Sequence, residues 1–139
     1  MKILIGLAFG LGINIAANAQ NIPTLAKVYS GNTVETSINA SKKNPKTQTH
    51  NVPATVTIIK QEGPHVEFIY KNANYQASEI GTISADGKMM QVAYQGGSGS
   101  YSIIGNKLVG CGSGRVREGV FSQWINSYYA WCDEMTATK

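Results

Sequence analysis

Charge is what this sequence has least of. Asp, Glu, Lys and Arg together make up 14% of its 139 residues, against roughly a quarter in an ordinary soluble domain. The formal net charge of +4 is small and spread along the chain. No basic run alternates with aromatics, so nothing points to a nucleic-acid partner. Histidine and cysteine are equally scarce, at two each. His50 and His65 have no carboxylate or Cys at ligand-like spacing, so no metal site is expected. There is no Gly-x-Ser-x-Gly and no Ser/His/Asp set in a supporting context. The stretch Gln95-Gly96-Gly97-Ser98-Gly99-Ser100 lacks the Lys-Ser/Thr ending of a phosphate loop and reads as a hairpin loop. The expectation is a protein that is not an enzyme and uses no cofactor.

Long apolar runs are missing too, apart from one at the start. Met1-Lys2 gives a positive beginning, Ile3 to Ala17 is apolar or small except at Asn14, and Ala17-Asn18-Ala19 is a small-x-small cleavage site. That is the layout of a secretory signal peptide over residues 1–19, leaving 20–139 as one domain. The apolar run is shorter than the roughly 20 residues that span a bilayer. No later run is long enough either, so no transmembrane segment is expected after signal removal. The expected location is periplasmic or secreted.

Export changes the meaning of the two cysteines. Outside the cytoplasm, Cys111 and Cys132 read as one intramolecular disulfide rather than a redox pair, there being no Cys-x-x-Cys. Closing a loop of about 20 residues is worth about 3 kcal/mol in the chain-entropy account.

What the chain has in quantity is alternation. Val52, Ala54, Val56 and Ile58 share one face of a strand, as do Val66, Phe68 and Tyr70, and Met90, Val92 and Tyr94. A first strand over 25–38 places Ala26, Val28, Val34 and Ile38 on its even, apolar face. A fourth, 75–84, alternates poorly around Ile80-Gly81, which suggests a bulge. Gln61-Glu62-Gly63-Pro64, Ala85-Asp86-Gly87 and Gly105-Asn106 read as turns, and 95–100 as a flexible loop between the fifth strand and a short sixth, 101–104. A seventh strand, 107–112, holds Cys111. Phe121, Trp124, Ile125 and Tyr128 have helical spacing; the favoured reading is about one helical turn and then an eighth strand over 128–136, with a helix through 119–135 as the competitor.

Eight short strands joined by short turns suggest an all-β, up-and-down antiparallel barrel, since closure removes exposed edges. A two-sheet β-sandwich is the alternative. Tyr29-Ser30-Gly31 in the first strand, the run from Ile80 to Lys88 and the late cysteines make the chain resemble calycin-type barrels such as lipocalins and avidins. It is also similar to a group of uncharacterised exported bacterial barrels. The lipocalin Gly-x-Trp is absent from the first strand and no Arg lies in the last. The resemblance therefore implies a barrel with an interior that can hold one small ligand, but names no ligand.

Three functions follow as expectations. The first is a small-molecule-binding barrel for an apolar or acidic ligand, with Phe68, Tyr70, Met90, Val92 and Tyr94 lining the interior. The basic loop with Lys42, Lys43 and Lys46 would form a lid. The second is a protein-interaction module or exported inhibitor acting through the Cys111–Cys132 loop, with Trp124, Tyr129 and Trp131 as an outer aromatic patch. The third, an enzyme, has the least support.

Overall fold

A computed structural model describes residues 21–39, 45–73, 75–118 and 125–138. They form eight strands: β1 (Val28–Asn39), β2 (Thr47–Glu62), β3 (His65–Asn72), β4 (Gln76–Ile83), β5 (Met89–Tyr94), β6 (Gly97–Ile104), β7 (Lys107–Glu118) and β8 (Ile125–Ala137). Each pairs antiparallel with the next, and β8 returns to pair with β1 from Tyr29↔Ala137 to Asn39↔Ser127, closing the barrel. No strand edge is left free, which meets the expectation of an up-and-down barrel rather than a sandwich.

Strand alternation sorts the side chains. Val56, Ile58, Val66, Phe68, Ile83, Met90, Val92, Leu108 and Met135 face inward and form the core. Lys60, Glu67, Lys71, Lys107 and Glu134 lie on the outside, with ion pairs Lys60–Glu62 and Lys107–Glu134. An apolar inside and a polar outside is the reverse of the lipid-facing pattern of an outer-membrane barrel. Among the described residues no helix is long and apolar enough to cross a membrane.

One end of the barrel is capped by the chain itself. The register of β2 against β3 shifts between Ile58 and Lys60. Such a bulge re-aims the residues that follow. Gln61 is thereby placed to accept from the Leu25 backbone N–H at 3.0 Å and to donate to the Pro23 carbonyl at 2.8 Å. Leu25 is buried, and Pro23 packs over the β4–β5 turn, where Gly87 takes a φ of 71°. In that turn Asp86 accepts from the Ser84 hydroxyl and the Lys88 amide.

Several sequence expectations are corrected here. The even face of β1 is the outer one: Val34 is 44% exposed, whereas Tyr29 and Thr33 are buried. Pairing with β2 and β8 sets that parity, and toward its second half β1 turns polar side chains into the barrel, inverting the usual contrast. The irregularity placed at Ile80-Gly81 lies in β2 instead. β4 pairs regularly, with Gly81 inward against Met90 and Ile80 outward. The supposed loop over 95–100 is mostly strand: Gln95-Gly96 makes a two-residue turn, with Gly96 at φ 85°, and β6 begins at Gly97. β8 begins at Ile125, so residues 125–135 are strand and not helix. Phe121 lies outside the described residues.

Candidate functional site

The glycines build the site. β6 turns Gly97 and Gly99 inward, and β7 turns Gly110, Gly112 and Gly114 inward; aromatic rings lie against all five. A Cβ on Gly112 would stand 2.6 Å from Trp131 Cε2 and Cζ2, one on Gly99 2.7 Å from Trp131 Cζ2, and one on Gly110 2.7 Å from Tyr101 Cδ1. Gly114 and Gly97 leave room in the same way for Tyr129 and Tyr94. Alternating glycines in a strand mark a face that another group must approach closely. Two neighbouring strands of them give a smooth wall on which four rings lie.

Those rings pack on one another at an angle, with centroids 5.4 Å apart for Tyr101–Trp131, 6.2 Å for Tyr94–Trp131 and 6.3 Å for Tyr94–Tyr129. Tilted packing at such distances suits ring quadrupoles. Hydrogen bonds fix the arrangement. Trp131 Nε1 donates to Tyr94 Oη at 2.7 Å, and that hydroxyl lies 3.0 Å from the Ser113 carbonyl and 3.2 Å from that of Ser98.

At the end opposite the cap, the side chains stop short of filling the barrel. A cavity of about 200 Å³ opens at the end carrying the β1–β2, β3–β4, β5–β6 and β7–β8 connections. Tyr70, Tyr75, Tyr94, Tyr101, Tyr129 and Trp131 line it together with Glu35, Ser37, His50, Glu79 and Gln95. It is smaller than the 300–1,000 Å³ typical of drug-sized sites, so it suits a small molecule.

Carboxylates are the second element. Glu79 on β4 and Asp133 on β8 are 7% and 3% exposed, in a region where charge is costly. Burial, helped by the charge of Asp133, pushes the Glu79 carboxyl up to about 7. Burial likewise pushes Asp133 up to about 6, although it accepts a short hydrogen bond from Tyr101. Glu35, nearer the mouth, accepts from Asn72 Nδ2 at 2.6 Å. Thr33 and Asp133 are directly opposed across β1 and β8, both buried, with the Thr33 hydroxyl beside the carboxyl and holding its pKa down against burial. Burial also raises the tyrosines, most strongly Tyr70, Tyr101 and Tyr129, so their hydroxyls stay protonated.

A pH dependence of stability follows. The native state holds protons on Glu79 and Asp133 that the unfolded chain has released, so stability is greatest where both states are protonated. It is expected to fall as pH rises from about 4 to about 7 and then to level off. At about 1.4 kcal/mol per pH unit for each group, the two shifts set an upper bound of about 6 kcal/mol on the loss, which solvent in the cavity reduces. Urea unfolding from pH 4 to 8.5 checks it, and Glu79→Gln should flatten the upper part of the curve. A stability maximum at pH 7 would contradict the assignment.

The sequence-derived site residues divide. Tyr70 and Tyr94 line the cavity. Phe68, Met90 and Val92 are 1%, 0% and 3% exposed, and they sit in the packed core and not among the residues around the opening. Tyr129 and Trp131 do not form an outer patch: alternation along β8 turns both inward, onto the glycine wall. Trp124, Lys42 and Lys43 lie outside the described residues; Lys46 is exposed just before β2, on the mouth side. The Cys111–Cys132 disulfide is formed between directly opposed residues of β7 and β8, on the outer face. Sequence reading missed Glu35, Glu79, Asp133, Tyr75 and Tyr101, and the alternating glycines were the available signal for the ring-lined wall.

No family model matches the chain, and no curated protein matches it in sequence.

Proposed function

We propose that this chain is an exported small-molecule-binding barrel whose site is the ring-lined cavity at the uncapped end. The observation that carries the reading is the contrast between the two ends. One is packed solid and capped through Gln61 and Leu25; the other stays hollow, with six aromatic rings around an opening. Large rings laid back against paired glycines, leaving a space beside them, are an unusual use of an interior unless something enters it, since interiors otherwise pack to crystal-like density. Export fits the apolar start of the chain and the disulfide. A binder is favoured over a catalyst because the cavity's tyrosines are held protonated, as hydrogen-bond donors and not as nucleophilic phenolates. An acidic ligand is not carried forward, because Glu35 and Glu79 at the lining would repel it.

Trp131 is the natural reporter. In a Trp124→Phe background, the indole at the cavity wall is the remaining source of tryptophan fluorescence. Titration with a panel of small aromatic and aliphatic compounds is expected to shift its emission saturably, at micromolar to millimolar concentration for ligands of this size. Native mass spectrometry of protein purified from its host is expected to show a co-purified mass. If no compound perturbs Trp131 and no mass accompanies the protein, the binding reading fails.

A further inference from the structure

We infer that the ligand is a small organic cation, an amine or quaternary ammonium, held against the rings with Glu79 as its counter-ion. This rests on the binding reading above and assigns the chemical class that the same site takes.

Three independent features converge. The first is the sign of the charge. The lining contains two carboxylates and no lysine or arginine. The two ion pairs among the described residues, Lys60–Glu62 and Lys107–Glu134, lie on the outer face and involve no interior carboxylate. His50 is the lining residue able to carry positive charge. It stands opposite Glu35 across β1 and β2, exposed at the rim, whereas Glu79 is 7% exposed. Interior carboxylates are ordinarily paired, because an isolated one is costly. Among the described residues no cationic side chain pairs with Glu79.

The second feature is the lining. Six of its eleven residues are aromatic. The faces of Trp and Tyr attract cations, and rings gathered around a space are the usual recognition device for quaternary ammonium groups. Protonated tyrosine hydroxyls are suited to a primary ammonium's counter-ion shell as well, since they accept as they donate.

The third feature is a buried carboxyl beneath the rings. Asp133 is 3% exposed and its neighbours there are the Thr33 and Tyr101 hydroxyls, with no cationic side chain among the described residues paired to it. When ionised, it extends the negative potential of the cavity toward its floor. A neutral apolar ligand would use the rings but leave Glu79 without a counter-ion. An anion would meet repulsion from Glu35, Glu79 and Asp133 alike.

The test uses matched probes and the oxidised chain lacking residues 1–19, at pH 8. Choline is compared with 3,3-dimethylbutan-1-ol, the same shape with carbon in place of nitrogen. 2-Phenylethylamine is compared with 2-phenylethanol. Binding is read by isothermal titration and by Trp131 emission. Each cation is expected to bind at least about tenfold tighter than its neutral partner. Glu79→Gln, which keeps the shape of the side chain, is expected to erase that preference while leaving the neutral compounds' affinity within about twofold. Asp133→Asn serves as a second variant, with thermal unfolding of both recorded to confirm folding. If the neutral partners bind as tightly as the cations, the binding reading stands and the cation assignment is overturned. Cation preference unchanged in both folded variants also overturns it. If no probe of either class binds, both readings fall.

Discussion

Gly112→Val is expected to lower the melting temperature by at least about 10 °C, or to prevent folding. The Cβ alone would stand 2.6 Å from two atoms of the Trp131 indole and 2.7 Å from the Ser98 carbonyl oxygen. Neither can retreat easily. Trp131 is held by its bond to Tyr94 and by the rings on either side, and Ser98 belongs to β6, paired along its length with β7. Overpacking a tight interior costs about 1–3 kcal/mol and sometimes more. At roughly 4 °C per kcal/mol for a domain of this size, two γ-methyls on top of the Cβ clash exceed the lower bound. Gly112→Ala should fall between Val and the parent. Ser113→Val, one residue on but facing out, should stay within about 0.5 kcal/mol of the parent. Circular dichroism melts of the three variants and the parent check the series. Equal melting of Gly112→Val and the parent would remove the glycine wall from the account.

Removing the disulfide is expected to be comparably costly. The bridge spans a sequence separation of 21 residues, for which the chain-entropy account gives about 3 kcal/mol, or roughly 10 °C in melting temperature. It also pins the pair of strands whose connection, 119–124, follows a run of glycines. The Cys111→Ser/Cys132→Ser double variant should therefore unfold at markedly lower urea than the parent. The cysteines are on the outer face and the cavity residues on the inner one, so ligand affinity measured well below the melt should be kept. A parent protein that unfolds at the same urea concentration with and without dithiothreitol would contradict this role.

The fold was readable because most of its strands obey the simple rule of apolar inside and polar outside. Val52 to Ile58, Val66 to Tyr70 and Met90 to Tyr94 announce their inner faces directly, and the turns at Gly63-Pro64, Asp86-Gly87 and Gly105-Asn106 separate them. The site was much less readable, for the same physical reason. A hollow, polar half-interior breaks the rule that makes strands visible. Glu35, Glu79 and Asp133 point inward where the pattern expects an apolar residue, so the alternation of β1 indicates the wrong face and that of β4 looks irregular. The glycines of β6 suggest a loop because a glycine in isolation suggests flexibility, whereas Gly110 and Gly112 fall inside the expected seventh strand. Their spacing of two carried the opposite message: Gly97 and Gly99, and Gly110, Gly112 and Gly114, repeat at the strand period and so occupy one face. Trp131 and Tyr129 share a spacing of two as well, and the strand that pairs with the glycines presents its rings to them. Reading pairs of strands together, rather than each alone, would have joined these signals.

The cap at the other end was hidden for a different cause. Gln61 faces inward only because of the shift after Ile58, and a one-residue shift in register leaves no trace in hydrophobic pattern when the residues around it are Ile59, Lys60 and Gln61. Leu25 looked like the first residue of a strand, yet its role is to plug the barrel before β1 begins.

The most direct measurement is a crystal structure of the oxidised protein soaked with choline. The account predicts electron density for the probe inside the barrel, bounded by Tyr70, Tyr94 and Trp131, with its nitrogen toward the Glu79 carboxylate. A barrel whose upper half is filled by its own side chains, with choline absent or bound only on the outside, would contradict it.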